Sequence, residues 1–266
     1  MSSTNPDLLL ANLSWPEVRD LQEQVELVLI PVGSNEQHGP NLSVNFDIAH
    51  SAEFCRQVSR RMYPRVLVAP AVPWGVSFHH MNFPGTITLS PELFMGLLLE
   101  IVGSLQAHGF ERFLIVNGHG GNVQAMGVAS VMIQEQLDPL FIGACSVFSF
   151  QDRAAAKAQH EVTDNTGHAC EFETSVGMYL LPETVKADAL AAGELTDLTH
   201  GFRKTMSKYN VSVPYRFDEF TTNGALGDAR LSSVEIGRIL TESGLDNICA
   251  FIDELIEVTP RQAEAG

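Results

Sequence analysis

The sequence has few basic residues and no long apolar run, and each absence argues against a class of protein. Sixteen lysines and arginines stand against thirty-two aspartates and glutamates, so the 266 residues carry a formal net charge of −16. Because no basic patch appears, we expect neither nucleic acid nor an anionic membrane as a partner. No apolar segment is long enough to span a bilayer, and the polar first seven residues lack the core of a signal peptide.

Cysteine is also scarce, and its pattern gives no sign of disulfides. The four cysteines are scattered and form no C-x-x-C pair. This pattern indicates reduced thiols, and we therefore expect a cytoplasmic protein. The chain has no linker, low-complexity segment or internal repeat either, so we predict a single domain over residues 1–266.

Short apolar runs alternate with segments of helical apolar spacing, and this alternation predicts an α/β fold. Strands are predicted at residues 25–32, 65–69, 112–116 and 140–148. Helices are predicted at residues 15–24, 47–62, 90–108, 122–137, 170–181, 232–241 and 245–258, and mostly irregular structure at 186–230. Strands that alternate with helices predict a mostly parallel sheet flanked by helices on both faces.

Two loops that follow predicted strands carry candidate metal ligands. Glu36 and His38 follow the first strand, and His119 follows the third. Because Glu36 and His38 are two residues apart, their side chains point to the same side in extended backbone. Asp47, at the start of the next helix, adds a second carboxylate. Loops at the carboxyl ends of parallel strands are a usual place for chemistry, and this mixture of ligands suits a divalent metal ion.

Each of these residues also has a purely structural interpretation. A Glu-x-His pair in a loop is often only solvated, and Asp47 taken alone is typical of a helix N-cap. His119 stands between glycines, as a turn residue does. Residues 118–121 lack the G-x-G-x-x-G spacing and the P-loop lysine, which argues against a phosphate-binding loop. Taken together the residues favour a metal site, because two of the segments occupy equivalent positions after buried strands.

Four longer motifs resemble those of the creatininase (creatinine amidohydrolase) family, and the resemblance covers roughly residues 10–258. The motifs are LIPVGSNEQHGP at 29–40, FPGT at 83–86, NGHGGN at 117–122 and GHACEFETS at 167–175. The resemblance implies a three-layer α/β/α domain with two divalent ions, zinc or manganese, in a homo-oligomer such as a hexamer. It also implies that Glu36, His38, Asp47 and His119 are metal ligands, with Asp47 bridging the ions, and that His168 transfers protons.

The chain departs from creatininase itself at the fifth ligand and in the substrate pocket. Creatininase has His-Tyr-Glu where this chain has glycines after His119, so we assign Glu171 as the fifth ligand, as in the broader family. Residues two apart point about 200° apart around a helix. Glu173 is therefore expected beside the site as a catalytic anion, and ligation by Glu173 is the alternative. The two pocket tryptophans of creatininase are missing, which favours another branch of the family. The predicted substrate-binding residues are His80, Trp74, Phe148 and Gly120.

The predicted function is a metal-dependent amidohydrolase that acts on a small molecule. A hydroxide shared by the two metal ions would attack an amide, cyclic amide or formamide bond, other than a peptide bond. His168 would protonate the departing nitrogen. Two alternatives stay open. One is a peptidase or deformylase of a biosynthetic pathway, such as the mycofactocin-maturing branch of the family, and the other is a non-catalytic metal-binding scaffold.

Overall fold

The computed structural model describes residues 6–199, 204–209, 211 and 213–259, and it contains a parallel four-stranded sheet. The strands are β1 Leu27–Val32, β2 Val66–Val68, β3 Arg112–Asn117 and β4 Phe141–Ser146. Their order across the sheet is β2-β1-β3-β4, so β1 and β3 are central neighbours. In this register Val32 of β1 lies beside Asn117 of β3. The carboxyl ends of the two central strands therefore meet at one edge of the sheet.

Helices follow the strands along the chain, as the sequence predicts. The α-helices are α1 Trp15–Leu21, α2 Phe46–Arg61, α3 Pro91–Gln106, α4 Val123–Leu137, α5 Arg153–Gln159, α6 Glu171–Leu180, α7 Lys204–Tyr209 and α8 Val234–Val258. Helix α3 begins with the sequence features typical of a helix N-terminus. The Ser90 side chain caps it by accepting a hydrogen bond from the Leu93 amide, and a proline stands in the first turn. In the described part of the chain, no helix is long and apolar enough to cross a membrane.

The sheet lies between two layers of helices, because successive side chains of each strand point to opposite faces. One face, with Ile30 and Ile115, packs against α3 and α4. The other face, with Leu29 and Leu114, packs against α2 and α8. Helix α6 lies outside the second layer and packs against α2 and α8 through Phe172. This arrangement confirms the predicted α/β class with helices on both faces of a parallel sheet.

The carboxyl-terminal region differs from the prediction, which placed two helices at 232–241 and 245–258. The structure has one continuous helix, α8, across this break. Within it, the Ser243 hydroxyl donates to the Ile239 carbonyl at 2.6 Å, as a serine inside a helix can. A side chain at Gly244 would lie 3.2 Å from the Phe54 ring on α2, so this glycine permits close packing of two helices. It does not end the helix.

One helix was not predicted from the sequence, and one predicted segment lies partly outside the described residues. Helix α5 occupies a stretch for which the apolar pattern predicts nothing. The Asp152 side chain caps it by accepting from the Ala155 amide at 2.8 Å. Within the segment predicted as irregular, 186–230, the described residues form the short helix α7 and several 3₁₀ turns. Residues 200–203, 210 and 212 of that segment lie outside the described residues.

Candidate metal centre

Two glycines at the carboxyl ends of β1 and β3 allow the start of α2 to approach the sheet. A Cβ atom at Gly33 would lie 2.6 Å from the Ile48 nitrogen, which is closer than real Cβ contacts allow. A Cβ atom at Gly118 would overlap the Asp47 carbonyl in the same way. Because both positions are glycine, the first turn of α2 reaches the sheet edge. Asp47 therefore lies beside the loops that carry Glu36, His38 and His119.

The structure brings four of the predicted ligands together in one buried cluster. Each of the four is at most 2% exposed. The Nε2 atom of His38 lies 3.1 Å from Oδ1 of Asp47, and Nδ1 of His119 lies 3.2 Å from Oδ2. The same Nδ1 atom lies 3.0 Å from Oε2 of Glu36. Asp47 is therefore the central carboxylate, with an imidazole nitrogen beside each of its oxygens.

The second nitrogen of each imidazole faces a backbone carbonyl. Nδ1 of His38 lies 3.1 Å from the Glu36 carbonyl, and Nε2 of His119 lies 3.1 Å from the Val76 carbonyl. Such contacts fix the ring orientation and the tautomer, as they do in histidines that bind metals. Ser77, which the sequence analysis missed, donates to Oε2 of Glu36 at 3.0 Å. The rings are thus held with their remaining nitrogens toward the carboxylates.

The buried carboxylates of the cluster favour positive charge on the groups beside them. Burial lowers the pKa of His38, but the carboxylates of Asp47, Glu173 and Glu36 together outweigh this effect and raise the pKa to about 9. Burial likewise opposes the charge on His119, and Glu36 with Asp47 raises its pKa well above the usual value. Oδ2 of Asp47 is buried and accepts no well-aligned hydrogen bond from a described residue, although Nδ1 of His119 lies 3.2 Å away. Buried carboxylates with histidines as their partners form a ligand set that fits divalent cations.

Two further histidines flank the cluster and widen the choice of ligands. Glu36 with His38 and His168 forms one group whose ligand atoms lie within 4.8 Å of one another. Glu36 with His79 and His119 forms a second such group. Burial lowers the pKa of His79 to about 4, so this ring is neutral at pH 7. His79 belongs to none of the motifs named in the sequence, and the structure places it in the cavity wall.

The two glutamates at the start of α6 have different surroundings. Glu173 lines the cavity, accepts from the Ala169 amide at 2.5 Å, and has a pKa raised to about 7, mainly by burial. Glu171 points away from the cavity. Its Oε1 accepts from the amide and hydroxyl of Thr163 at 2.5 and 2.9 Å, and its Oε2 accepts from the Asp228 amide at 2.9 Å. The structure brings Glu173, but not Glu171, to the cluster.

A cavity of about 500 Å³ opens over the cluster. Of the predicted substrate-binding residues, His80, Phe148 and Gly120 lie in its wall. Trp74 does not; it is 45% exposed and outside the cavity. Tyr215 and Arg153 also line the cavity, and neither belongs to a motif that the sequence analysis recognised.

A buried glutamine orients the histidine predicted to transfer protons. Nε2 of His168 lies 2.7 Å from the Gln37 carbonyl. The Gln37 amide donates to Nδ1 of His80 at 2.9 Å and to the Gly224 carbonyl at 3.0 Å. Burial holds the pKa of His168 well below its usual range. The ring is therefore neutral, and its Nδ1 faces Oε1 of Glu36 at 3.7 Å. Gln37 had no assigned role, although it lies between two predicted ligands.

The fold and the site together define a class: a three-layer α/β/α protein with a candidate metal centre at the carboxyl edge of a parallel sheet. The chain belongs to the creatininase family, because the family model described as creatinine amidohydrolase matches residues 11–252. This match confirms the predicted resemblance and, at the level of the family, the predicted class of hydrolase.

Individual relatives and structures agree with this assignment. The mycofactocin precursor peptide peptidase of Mycobacterium ulcerans (strain Agy99) is 35% identical over 178 residues, which cover 64% of this chain and 65% of that protein. The creatinine amidohydrolase of Pseudomonas putida is 25% identical over 262 residues, which cover 93% and 96%. Two solved creatininase structures, one with manganese and one mutant of zinc–zinc type, each have a TM-score of 0.80 and 23% identity. They cover 96% and 97% of this chain and all of their own, and at this identity they show the fold alone.

Proposed function

We propose that the chain is a metal-dependent amidohydrolase that cleaves a carbon–nitrogen bond of a small molecule. The observation that carries this proposal is the position of Asp47 between His38 and His119. Each imidazole directs one nitrogen to a different oxygen of this carboxylate and the other nitrogen to a backbone carbonyl. This geometry is suited to a carboxylate that bridges two cations, each bound by one imidazole.

The proposed ligands are Glu36, His38, Asp47, His119 and Glu173. We propose Glu173 in place of Glu171, because every oxygen of Glu171 already accepts hydrogen bonds from its own surroundings. Three carboxylates and two imidazoles suit zinc or manganese. The similar creatininase structures described above are a manganese form and a mutant of zinc–zinc type, which supports the same choice of metals.

His168 is proposed to move the proton that the reaction requires. When bound, divalent ions lower the pKa of a water molecule and polarise a carbonyl group. The Nε2 proton of His168 is held by the Gln37 carbonyl, so Nδ1 is the atom that takes up a proton and passes it to the departing nitrogen. His80 packs against the Phe217 ring, with centroids 4.3 Å apart, and forms the wall behind His168.

The substrate is proposed to be a formamide, a cyclic amide or another small amide. A cavity of about 500 Å³ accommodates a small molecule. The direct test compares metal-free and metal-loaded protein on a panel of such amides. We expect hydrolysis only after zinc or manganese is added. Equal hydrolysis by the metal-free protein, or none of the panel by the loaded protein, would refute the proposal.

The role of His168 has a matched control in an exposed histidine, His108. His168→Asn should lower kcat roughly 10²- to 10⁴-fold, the usual contribution of a general acid or base. Metal content should stay unchanged, since this residue is proposed to move protons. His108→Asn should alter neither quantity. A loss of metal in His168→Asn would move this residue into the ligand set, as its position near Glu36 and His38 also permits.

A second candidate function is a peptidase, and the specific reason is the 35% identity to a mycofactocin precursor peptide peptidase. Such an enzyme would use the same centre on a peptide bond. Incubating the metal-loaded protein with short peptides beside the amide panel distinguishes the two activities. Cleavage of peptides alone would favour the peptidase.

We also propose that the chain forms a homo-oligomer, with a hexamer as the expected assembly. Apolar side chains on the helix layer away from α8 support this proposal: Leu93 on α3 and Val128 and Val131 on α4 are 60%, 52% and 63% exposed. Val131→Asp should reduce the molar mass measured by light scattering after gel filtration. Val258→Asp, at the end of α8, is the control and should not. An unchanged mass in Val131→Asp would show that this face is not an interface.

A cytoplasmic location is the last part of the proposal. All four cysteines are free thiols in the structure, as a reducing compartment requires. Burial raises the pKa of Cys145 to about 12 and that of Cys170 to about 11, so these thiols are unreactive. Fractionation of the native cells, followed by immunoblotting, tests this location.

A further inference from the structure

Arg153 differs from the other arginines in the part of the chain that the structure describes. Each of the others has an oxygen partner from a carboxylate, a carbonyl or a side-chain amide. The guanidinium of Arg153 has neither a hydrogen bond nor an ion pair with any described residue. Its Nε atom is buried and has no hydrogen-bond partner. A buried charged donor without an acceptor is costly, so its position calls for a partner from outside the chain.

Two aromatic rings hold this guanidinium at the cavity wall. The Arg153 Cζ atom lies 5.4 Å from the centre of the Phe148 ring and 5.5 Å from that of the Phe172 ring. Contacts of this kind fix the plane of the group and shield it from water. Phe148 lines the same cavity as Arg153, so the held group borders the space that a substrate would enter.

The acids of the cavity do not neutralise Arg153. Glu36 and Asp47 have imidazole partners, and Glu173 accepts from the Ala169 amide. No ion pair joins Arg153 to any of these described acids. Among the described residues of the cavity wall, Arg153 is the one arginine, and no lysine is present. In a chain with a formal net charge of −16, the described residues thus leave the Arg153 guanidinium unpaired beside the candidate active site.

We propose that Arg153 binds a carboxylate of the substrate. The substrate would then be a small amide with a carboxylate at some distance from the bond that is cleaved, such as an N-acyl amino acid or a cyclic amide acid. The flat guanidinium offers parallel N–H donors that match the two oxygens of a carboxylate. This inference rests on the proposed function, because it names the substrate class of the same cavity.

The test compares ligands that differ only in charge. Isothermal titration calorimetry of the metal-loaded protein with N-formylglycine and with N-formylglycinamide gives the ratio of the two Kd values. We expect the wild type to prefer the carboxylate by roughly ten- to a hundredfold, as charge-assisted hydrogen bonds allow. Arg153→Met keeps an unbranched stem between the rings and should lose this preference. The control Arg238→Met removes an exposed arginine of α8 that pairs with Glu235, and it should keep the preference.

Several results would overturn the inference. One is a wild type that binds the two ligands equally, prefers the amide or binds neither. Another is an Arg153→Met variant that keeps the full preference for the carboxylate. Metal ions also attract carboxylates, but they are bound in both the wild type and the variant, so a preference that survives in the variant would come from the metal and not from Arg153. If Arg153→Met fails to fold, Arg153→Lys retains the charge without the planar fork and should show a reduced preference; an unchanged ratio would contradict the proposal. Hydrolysis of the amide panel is measured separately, so a carboxylate site without catalysis would reject the proposed function alone.

Discussion

The two buried glutamates at the start of α6 provide a matched pair of substitutions with opposite expected effects. Glu171→Gln places an amide where a carboxylate accepts from the Thr163 amide, the Thr163 hydroxyl and the Asp228 amide. One oxygen becomes a donor that faces another donor. Losing a hydrogen bond to a charged group and leaving a buried donor unsatisfied costs about 2–4 kcal/mol. We therefore expect a less stable protein that still binds its metal.

Glu173→Gln should have the opposite effect. Burial raises the pKa of Glu173 to about 7 in the folded protein, against 4.5 for the ordinary group. A raised pKa means that this group favours folding fully below pH 4.5 and loses that contribution as the pH rises through 7. The difference between a pKa of about 7 in the folded protein and 4.5 for the ordinary group corresponds to about 3 kcal/mol of folding free energy. Metal-free Glu173→Gln should therefore be more stable than the wild type by up to about 3 kcal/mol at pH 8, with no difference at pH 4.

Urea denaturation of the metal-free proteins at pH 4 and pH 8, with metal titrations of the same samples, measures both effects. Glu173→Gln should weaken metal binding at least tenfold, because it removes the charge of a proposed ligand. Glu171→Gln should leave metal affinity unchanged. If Glu171→Gln loses its metal and Glu173→Gln retains it, the assignment of Glu173 as the fifth ligand is wrong.

Two other predictions concern groups around the centre. Burial lowers the pKa of His50 to about 4, so the folded protein resists its protonation and loses stability as the pH falls from 6.5 toward 4. His50→Phe should remove this loss, a gain of about 2 kcal/mol at pH 5 relative to pH 8 in urea denaturation, and an equal change at both pH values would contradict it. A Cβ atom at Gly121 would overlap Nε2 of His119, whereas one at Gly120 would meet nothing within 4 Å. Gly121→Ala should therefore lower bound metal, measured by elemental analysis, and Gly120→Ala should not; equal metal content in both variants would refute this reasoning.

The sequence predicted the sheet and four of the clustered residues because both depend on local patterns. Continuous apolar runs mark buried parallel strands, and Glu36, His38 and His119 follow two such strands directly. Neighbouring parallel strands end at the same edge of the sheet. The pattern of strands alone therefore predicts that residues distant in sequence meet there. Asp47 joins them because Gly33 removes the side chain that would keep α2 away.

The choice between Glu171 and Glu173 depended on a backbone conformation that no pattern reveals. Ala169 has a φ of 47°, an uncommon value for a residue with a side chain. This turn precedes α6 and sets the rotation at which the helix starts. As a result Glu173 faces the cavity and Glu171 faces the Asp228 segment. Local spacing correctly separated the two glutamates by about 200° but did not determine which one faced inward.

The substrate side of the cavity was harder to predict than the ligand side, since its walls come from segments without periodicity. Tyr215 follows the irregular region after α7, and Arg153 opens a helix of seven residues. Neither has a neighbour in sequence that marks it as functional. Trp74, which was predicted to bind substrate, is exposed outside the cavity, whereas His79 and His80 of the same loop line it. Loop membership alone did not distinguish them.

The bridging role of Asp47 is tested by the metal content of each chain after purification without chelators and dialysis against zinc or manganese. We expect about two ions per chain in the wild type and a collapse of binding in Asp47→Ala, because both imidazoles lose their shared carboxylate. The control Asp246→Ala removes an exposed carboxylate of α8 and should keep both ions. One ion or none in the wild type, or unchanged binding in Asp47→Ala, would contradict the proposed bridging centre.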